Sequence, residues 1–292
     1  MKITHEQFLH RQSLPLEMKE ILTTEKIKEW YEHWNGEVYI SFSGGKDSTV
    51  LLDMARKVYP DIVAVFADTG LEYPEIREFV KTIDNVVWLK PKMQFPEVIE
   101  KYGYPIISKE QAQYIHDYRT TKSEKVKHIR IHGNKWGLGK VRKKWMHYLD
   151  APFKISHKCC DKLKKYPFYV YERQTGNHPI VGSMATEGRM RQMMYLKNGC
   201  NAFDNNRPIS NPMAFWVEQN VWDYIQKYNL PYSKIYNMGY ERTGCMFCMF
   251  GVHREKNPNR FMKMKETHPK HYKYCMEKLG LDEVLTWMDV EH

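Results

Sequence analysis

Two sets of residues in this chain have types and spacings suited to chemistry. The first is contiguous: Ser43-Gly44-Gly45-Lys46-Asp47-Ser48. Gly44 and Gly45 allow backbone conformations, and a close approach to a ligand, that other residues resist. Lys46 adds a point positive charge, and Ser43 and Ser48 add hydroxyl donors. Such a turn is a phosphate cradle. The second set is split into Cys159-Cys160 and, far along the chain, Cys245-Met246-Phe247-Cys248. Four thiolates in two close pairs can hold a metal centre. Adjacent cysteines aim awkwardly at one tetrahedral ion, whereas a cubane offers each sulfur its own iron. The pattern therefore favours iron–sulfur over structural zinc, with free thiols the third option.

The elements around the first set have a clear order. Val38-Tyr39-Ile40-Ser41-Phe42 is short, apolar and rich in β-formers, and predicts a buried strand over 37–42. Apolar residues at 51, 52, 54, 55 and 58 predict a helix over 48–58. Its free N–H groups and positive end would point at a bound anion. The turn is shorter than a P-loop, which needs four residues between its first Gly and Gly-Lys-Ser/Thr. Further strands are expected at 61–67 and 86–89, with a helix at 74–83 between them. This alternation implies an α/β fold, a Rossmann-like parallel sheet with helices on both faces. Ligands in such sheets bind outside the carboxyl ends of the strands. The 43–48 turn and Asp68-Thr69-Gly70 both lie at those ends. A plain helix start, capped by Thr69 or Glu72, is the alternative for the second turn. Another strand is expected near 179–185, running into Thr186-Glu187-Gly188-Arg189-Met190-Arg191.

The rest of the chain supplies supporting parts. Residues 4–34 read as two helical pieces broken near Pro15. One apolar face is expected from Leu14, Leu16, Met18, Ile21 and Leu22, and another from Ile27, Trp30, Tyr31 and Trp34. Residues 92–118 read as helical with a break at 103–105. Residues 119–148 hold ten Lys/Arg against a single acid, Glu124, with Tyr118, Trp136, Trp145 and Tyr148 interleaved. A basic run with aromatics fits a phosphate backbone and stacked bases; a solvated insertion is the equal alternative. A helix is expected over 217–227. Residues 250–292 read as basic and helical, with Met262, Met264, Tyr272, Tyr274, Leu279, Leu281, Leu285 and Trp287 packed. The expected division is an N-terminal helical segment (1–36), a nucleotide-binding α/β domain (37–200) with a basic insertion at about 119–150, and a helical C-terminal part (201–292).

Composition narrows the class. Of 292 residues, 42% are apolar, enough for a real core, and the formal net charge is +10, which favours anionic partners. The first residues do not form a secretory signal, and no apolar run is long enough to span a bilayer. The six cysteines then suggest metal or redox chemistry rather than disulfides. A cytoplasmic location and no membrane partner are expected.

The motifs also carry a resemblance. Ser-Gly-Gly-Lys-Asp-Ser after a strand resembles the pyrophosphatase-loop (PP-loop) motif of enzymes that cleave ATP to AMP and pyrophosphate. Those enzymes include N-type ATP pyrophosphatases, tRNA-thiolating enzymes, and the adenylylsulfate and phosphoadenylylsulfate (PAPS) reductases. The stretch from Phe66 to Glu75 resembles the second motif of the reductases. The four cysteines resemble the Cys-Cys … Cys-x-x-Cys signature of [4Fe–4S] adenylylsulfate reductases and of the sulfur-transfer component of bacterial DNA phosphorothioation. The pattern is closest to the latter and to related prophage-type members.

Two departures stand out. Against the reductase pattern Gly-x-Arg-x-x-Glu-Ser-x-x-Arg, Gly182, Glu187 and Arg191 match. Met184 replaces the first Arg and Gly188 the Ser, which removes an oxyanion clamp; Arg189 is a partial substitute. The reductases' nucleophilic Cys in a Lys/Arg-x-x-Glu-Cys-Gly tail has no match in these residues. Cys200 and Cys275 read as inert thiols, with Cys200 conceivable as a sulfur acceptor.

The resemblance implies nucleotide contacts from Ser43, Gly44, Gly45, Lys46, Asp47, Ser48, Asp68, Thr69, Gly70 and Gly182. It implies catalytic roles for Lys46, Asp47, Glu187 and Arg191, and cluster ligation by Cys159, Cys160, Cys245 and Cys248. The nucleotide would be ATP, or an adenylylsulfate-type nucleotide, with Mg²⁺. The favoured activity is adenylylation of an acceptor with pyrophosphate release, supporting sulfur transfer. Expected partners are a tRNA or DNA acceptor on the basic insertion and a sulfur-donor protein, with a homodimer one option. The alternatives are a sulfonucleotide reductase and a non-catalytic regulator that binds nucleotide and cluster.

Overall fold

The computed structural model describes residues 2–292. Among the described residues eight strands form two sheets: β1 (Val38–Ser41), β2 (Ala64–Ala67), β3 (Val86–Leu89), β4 (Ile106–Ile107), β5 (His178–Val181), β6 (Asn201–Ala202), β7 (Ile209–Ser210) and β8 (Met249–Phe250). The larger sheet has the order β3-β2-β1-β5-β7-β6 and is parallel except for β6 against β7. In register, Ile40 of β1 sits between Ala64 of β2 and Ile180 of β5. Successive strands step away from β1 on one side, and β5 opens the other. The order therefore reverses between β1 and β5, the switch point at which such sheets open a crevice.

The sequence explains why β1 is central. Val38, Tyr39 and Ile40 are all buried, as a strand covered on both faces requires. Tyr39 packs with Val65 of β2 and Tyr171 of the helix Tyr166–Thr175, with Phe168 beside them. The helices Leu16–His33, Lys46–Val58 and Glu218–Lys227 pack against one another. The fold class expected from the βαβ alternation is the one observed: a mostly parallel sheet with helices on both faces.

The chain divides into two compact units, each assembled from separate segments. One comprises Met1–Asp68, Tyr73–Leu89 and Phe168–Thr243; the other comprises Thr69–Glu72, Lys90–Pro167 and Gly244–His292. The first holds the large sheet. It reaches past residue 200 because β6, β7 and the helix Glu218–Lys227 complete it. The second is mainly helical and carries the small parallel pair β4–β8, with Ile106 opposite Met249.

Several local expectations shift. The second strand begins at Ala64, not at residue 61. Residues 92–118 contain β4 between the helices Phe95–Tyr102 and Lys109–Thr120. The basic stretch forms a helix at Glu124–His132 and a 3-10 helix at Lys143–Asp150. In Leu16–His33 the buried stripe is Lys19, Thr23, Ile27 and Trp30, while Met18 and Ile21 are exposed. Partners remote in sequence make the polar positions fit. Lys19 Nζ donates to Gln12 O at 2.7 Å and Asn220 Oδ1 at 2.6 Å, and Thr23 Oγ1 accepts from Trp216 Nε1 at 2.8 Å. Tyr274 and Trp287 are also more exposed than a packed stripe would leave them. No helix among the described residues is long and apolar enough to cross a membrane.

Candidate functional site

The 43–48 turn leaves β1 and enters the helix Lys46–Val58 at the switch point. Gly44 has φ +71°, and a Cβ there would lie 2.7 Å from Val80 Cγ2 and 2.9 Å from Ile76 Cγ2. Only glycine fits both the conformation and the space. The turn ties itself together. Ser43 N–H donates to Ser48 Oγ at 3.1 Å, Gly45 N–H to Ser43 Oγ at 3.3 Å, and Ser48 Oγ to Gly45 O at 2.9 Å. Among the described residues no acceptor reaches the first-turn N–H groups of Asp47 and Ser48. They are free donors at the positive end of a helix.

Lys46 is 4% exposed. Its Nζ lies 2.9 Å from Glu218 Oε1, donates to Glu241 O at 3.1 Å, and stands over the Trp222 and Tyr236 rings. Its backbone N–H donates to Tyr236 Oη at 2.9 Å. Burial works against the ammonium charge, but Asp47 and Glu218 outweigh it and hold the pKa above the ordinary lysine value. Asp47 is the opposite case. Burial pushes its carboxyl up to about 6, against the pull of Lys46 and with Glu187 and Glu218 adding like charge. Its Oδ1 is buried without a hydrogen-bond partner. A buried carboxylate oxygen with no hydrogen bond, 4.0 Å from the Lys46 ammonium and beside a phosphate cradle, fits a divalent cation. Glu218, Trp222, Tyr236 and Thr243 are not among the site residues expected from the sequence. They reach the turn from more than a hundred residues away, so no local pattern marks them.

Neighbouring strand ends add the other predicted residues. Gly182 follows β5, and a Cβ there would meet Asp47 O at 3.0 Å and Asp47 C at 3.2 Å, so its glycine lets β5 close on the turn. Asp68 follows β2, is 7% exposed and accepts from Arg77 Nη2 at 2.9 Å. Glu187 caps the backbone of Met184 through a 2.8 Å bond and pairs with Arg191. That pair is the helix-start ion pair which sequence allows as readily as a ligand contact. Thr69 and Gly70 belong to the other unit. There Thr69 donates from its N–H to Glu72 Oε2 at 2.9 Å and from its hydroxyl to Glu72 Oε1 at 2.8 Å. The pairing ties the 69–72 turn to itself and does not cap the next helix, Pro74–Lys81, whose N-cap Tyr73 has no side-chain cap bond. Gly70 has φ +75° with open space around it.

All four paired cysteines lie in the second unit. Cys159 and Cys160 sit on a short helix, Lys158–Cys160, that widens into a π-turn at Asp161–Lys165. Cys245 and Cys248 sit in a turn closed by Cys248 N–H on Cys245 O at 3.1 Å. Leu71 O anchors it through Met246 N–H at 2.8 Å, as does Arg260 on Cys248 O at 2.9 Å. None is in a disulfide. Burial pushes the Cys245 thiol up to about 11, opposed by the Lys164 ammonium, and Cys159 rises by burial and by the neighbouring Cys160, Cys245 and Cys248. The four thiols are close enough to feel one another's charge. Lys164 is held protonated chiefly by Cys245, to which it hydrogen-bonds. Among the described residues no three His, Cys, Asp or Glu side chains are arranged to hold a single metal ion. Four unpaired thiols with the Lys164 ammonium beside them have the chemistry of iron–sulfur ligands, each of which would bind a separate iron.

The two remaining cysteines are of another kind. Cys200 and Cys275 are buried, and burial pushes both thiols up to about 12. Cys275 donates to Tyr272 O at 3.2 Å. Thiols of that kind are poor nucleophiles at neutral pH.

Comparison with known proteins agrees with these motifs. A model of the phosphoadenosine phosphosulfate reductase domain matches residues 37–250. An uncharacterised protein of Methanocaldococcus jannaschii is 28% identical over 95% of this chain and 57% of its own length. A second from the same organism is 28% identical over 84% of this chain and 42% of its own. The chain thus spans about half the length of these curated relatives. The adenosine 5'-phosphosulfate reductase of Geobacillus kaustophilus is 25% identical over 75% of each chain. Among solved structures, the phosphoadenylyl-sulfate reductase of Candida auris superimposes with a TM-score of 0.46 at 17% identity, over 84% of this chain and 97% of that one. The matched span takes in the 43–48 turn and all four paired cysteines, and the chain belongs to the phosphoadenosine phosphosulfate reductase domain family.

Proposed function

We propose that this chain binds ATP with its phosphates on the 43–48 turn and carries a [4Fe–4S] cluster on Cys159, Cys160, Cys245 and Cys248. In this reading it adenylylates an acceptor and supports sulfur transfer to it. An acceptor oxygen attacks the α-phosphorus, the bond to the β-phosphate oxygen breaks, and pyrophosphate leaves. A sulfur nucleophile then displaces AMP. The free N–H groups of Asp47 and Ser48 hold phosphate oxygens, and Lys46 neutralises charge on the leaving pyrophosphate. Bound phosphate takes the place of Glu218 as counter-ion to Lys46. Asp47 Oδ1 ligates Mg²⁺, and Glu187 and Arg191 take the catalytic roles that the family pattern gives them. The cluster supplies a binding point for sulfur or fixes the local geometry. The acceptor is a nucleic acid, tRNA or DNA, held by the basic insertion, and sulfur comes from a donor protein. The observation that carries the reading is the buried, charged Lys46 beside unclaimed helix-start amides. Glu218 pairs with Lys46 in the empty site, and the unclaimed amides of Asp47 and Ser48 supply the further donors with which a phosphate competes for that ammonium.

The test is pyrophosphate release from ATP by anaerobically purified protein, with and without tRNA or duplex DNA. Release stimulated by one nucleic acid is expected. No release under any condition overturns the adenylylation step. The relatives named adenosine 5'-phosphosulfate reductase favour a second reading, reduction of a sulfonucleotide, and sulfite release from adenylylsulfate would identify it.

A further inference from the structure

The basic stretch contains a feature that its composition alone does not disclose. Residues 133–139 form a closed loop presenting two apolar side chains outward. Trp136 is 70% exposed and Leu138 is 65% exposed. The loop is internally braced. Asn134 Oδ1 accepts from the N–H groups of Trp136 and Leu138, both at 3.0 Å; Asn134 N–H donates to Leu138 O at 2.8 Å, and Gly137 N–H to Asn134 O at 2.7 Å. Gly133 has φ +93° and packs so closely that a Cβ would lie 2.8 Å from Gly137 C. The base is fixed as well: Arg130 donates to Gly139 O at 2.8 Å and pairs with Asp117 at 2.7 Å. An indole displayed on a braced loop loses little entropy when it binds, as preorganised anchors do.

The charge around the loop identifies the partner. Lys135, Lys140, Arg142, Lys143 and Lys144 are exposed, and none has a carboxylate partner among the described residues. Lys135 Nζ stands 4.3 Å from the Trp136 ring centroid. Arg119 and Arg130, by contrast, are used within the fold, on Phe153 O, Ala151 O and Asp117. A cationic field without carboxylate partners suits a phosphate backbone, and an exposed indole, with one lysine over its ring, suits a base. A duplex hides its base faces in the stack, whereas RNA loops and ends splay theirs out. We propose that the 133–144 surface binds single-stranded RNA, with Trp136 stacking on an unpaired base and the neighbouring lysines and Arg142 contacting its phosphates. This deepens the acceptor side of the function proposed above and rests on that reading only for its purpose.

The experiment measures binding of the full chain to a labelled unstructured RNA and to the same RNA annealed to its complement, over a salt series. Trp136→Ala should weaken single-strand binding by roughly 5- to 150-fold, the value of one stacked base, and leave duplex binding unchanged. Trp136→Phe should restore most of the affinity. Replacing Arg142, Lys143 and Lys144 together by Ala should flatten the salt slope by about 2. Equal binding of both forms, or single-strand binding indifferent to Trp136→Ala, overturns the proposal and leaves the Trp–Leu tip as a protein-docking anchor. Trp136 is solvent-facing, so its replacement does not put folding at stake. RNA binding without pyrophosphate release would sink the adenylylation reading alone; the converse would sink this one alone.

Discussion

The two candidate centres of this chain are built by opposite means. The 43–48 turn is contiguous and made of backbone: two glycines, a helix start and short hydroxyl links hold it. The cysteine set is made of side chains drawn from two distant segments, Lys158–Cys160 and the turn at 245–248. A backbone site is preorganised by the sheet that carries it. A set of thiols drawn from two segments has no such backbone frame, and under the proposed reading a bound cluster would hold it together.

The difference makes the centres separable by mutation. The largest effect is expected for Cys245→Ser. It should remove iron and sulfide from the purified protein and lower the stability of the helical unit, because metal binding is also folding free energy. Unchanged iron content would break the comparison. Next is Gly44→Ala, where a Cβ meets Val80 and Ile76 in a left-handed backbone. A loss of about 2–4 kcal/mol in denaturant unfolding is expected, with iron content intact.

Lys46→Ala should weaken ATP binding by roughly 10- to 100-fold, as loss of a charge-assisted contact does. Glu218→Gln should strengthen it a few-fold by removing the competing carboxylate; titration calorimetry reads both. If Lys46→Ala binds ATP normally, the turn is not the phosphate site.

The smallest effect concerns pH. Asp47 is raised from 3.8 to about 6, so the folded state holds a proton that the unfolded chain releases. Its contribution to stability falls as pH rises through that window and is flat on either side. Asp47→Asn should remove this slope and raise the melting temperature near pH 7, while weakening Mg²⁺-dependent nucleotide binding. A wild-type profile already flat between those values would show that the carboxyl is not perturbed.

Legibility followed the same divide. Val38–Ser41, the glycine turn and the helix after it were readable because their signals are local: β-formers, then glycines, then a 3.6-residue apolar period. The short strands β6 and β7 were not, since two residues carry no period. The Leu16–His33 stripe was misplaced because Lys19 and Thr23 occupy it. Their polarity is met by Asn220 and Trp216, about two hundred positions away. Glu218 and Tyr236 escaped notice for the same reason.

The sequence by itself determined the chemistry available: a glycine-rich anion turn after a strand, four cysteines in two pairs, and a cationic stretch with interleaved aromatics. Those features depend on residue type and short spacing, and tertiary context cannot remove them. Tertiary structure alone decided what surrounds them. It placed Lys46 against Trp222 and Tyr236, left Asp47 Oδ1 without a hydrogen bond, closed Gly182 on the turn and braced the loop that displays Trp136. Burial, pKa and counter-ion choice all arise from contacts between segments far apart along the chain, and no local pattern encodes those.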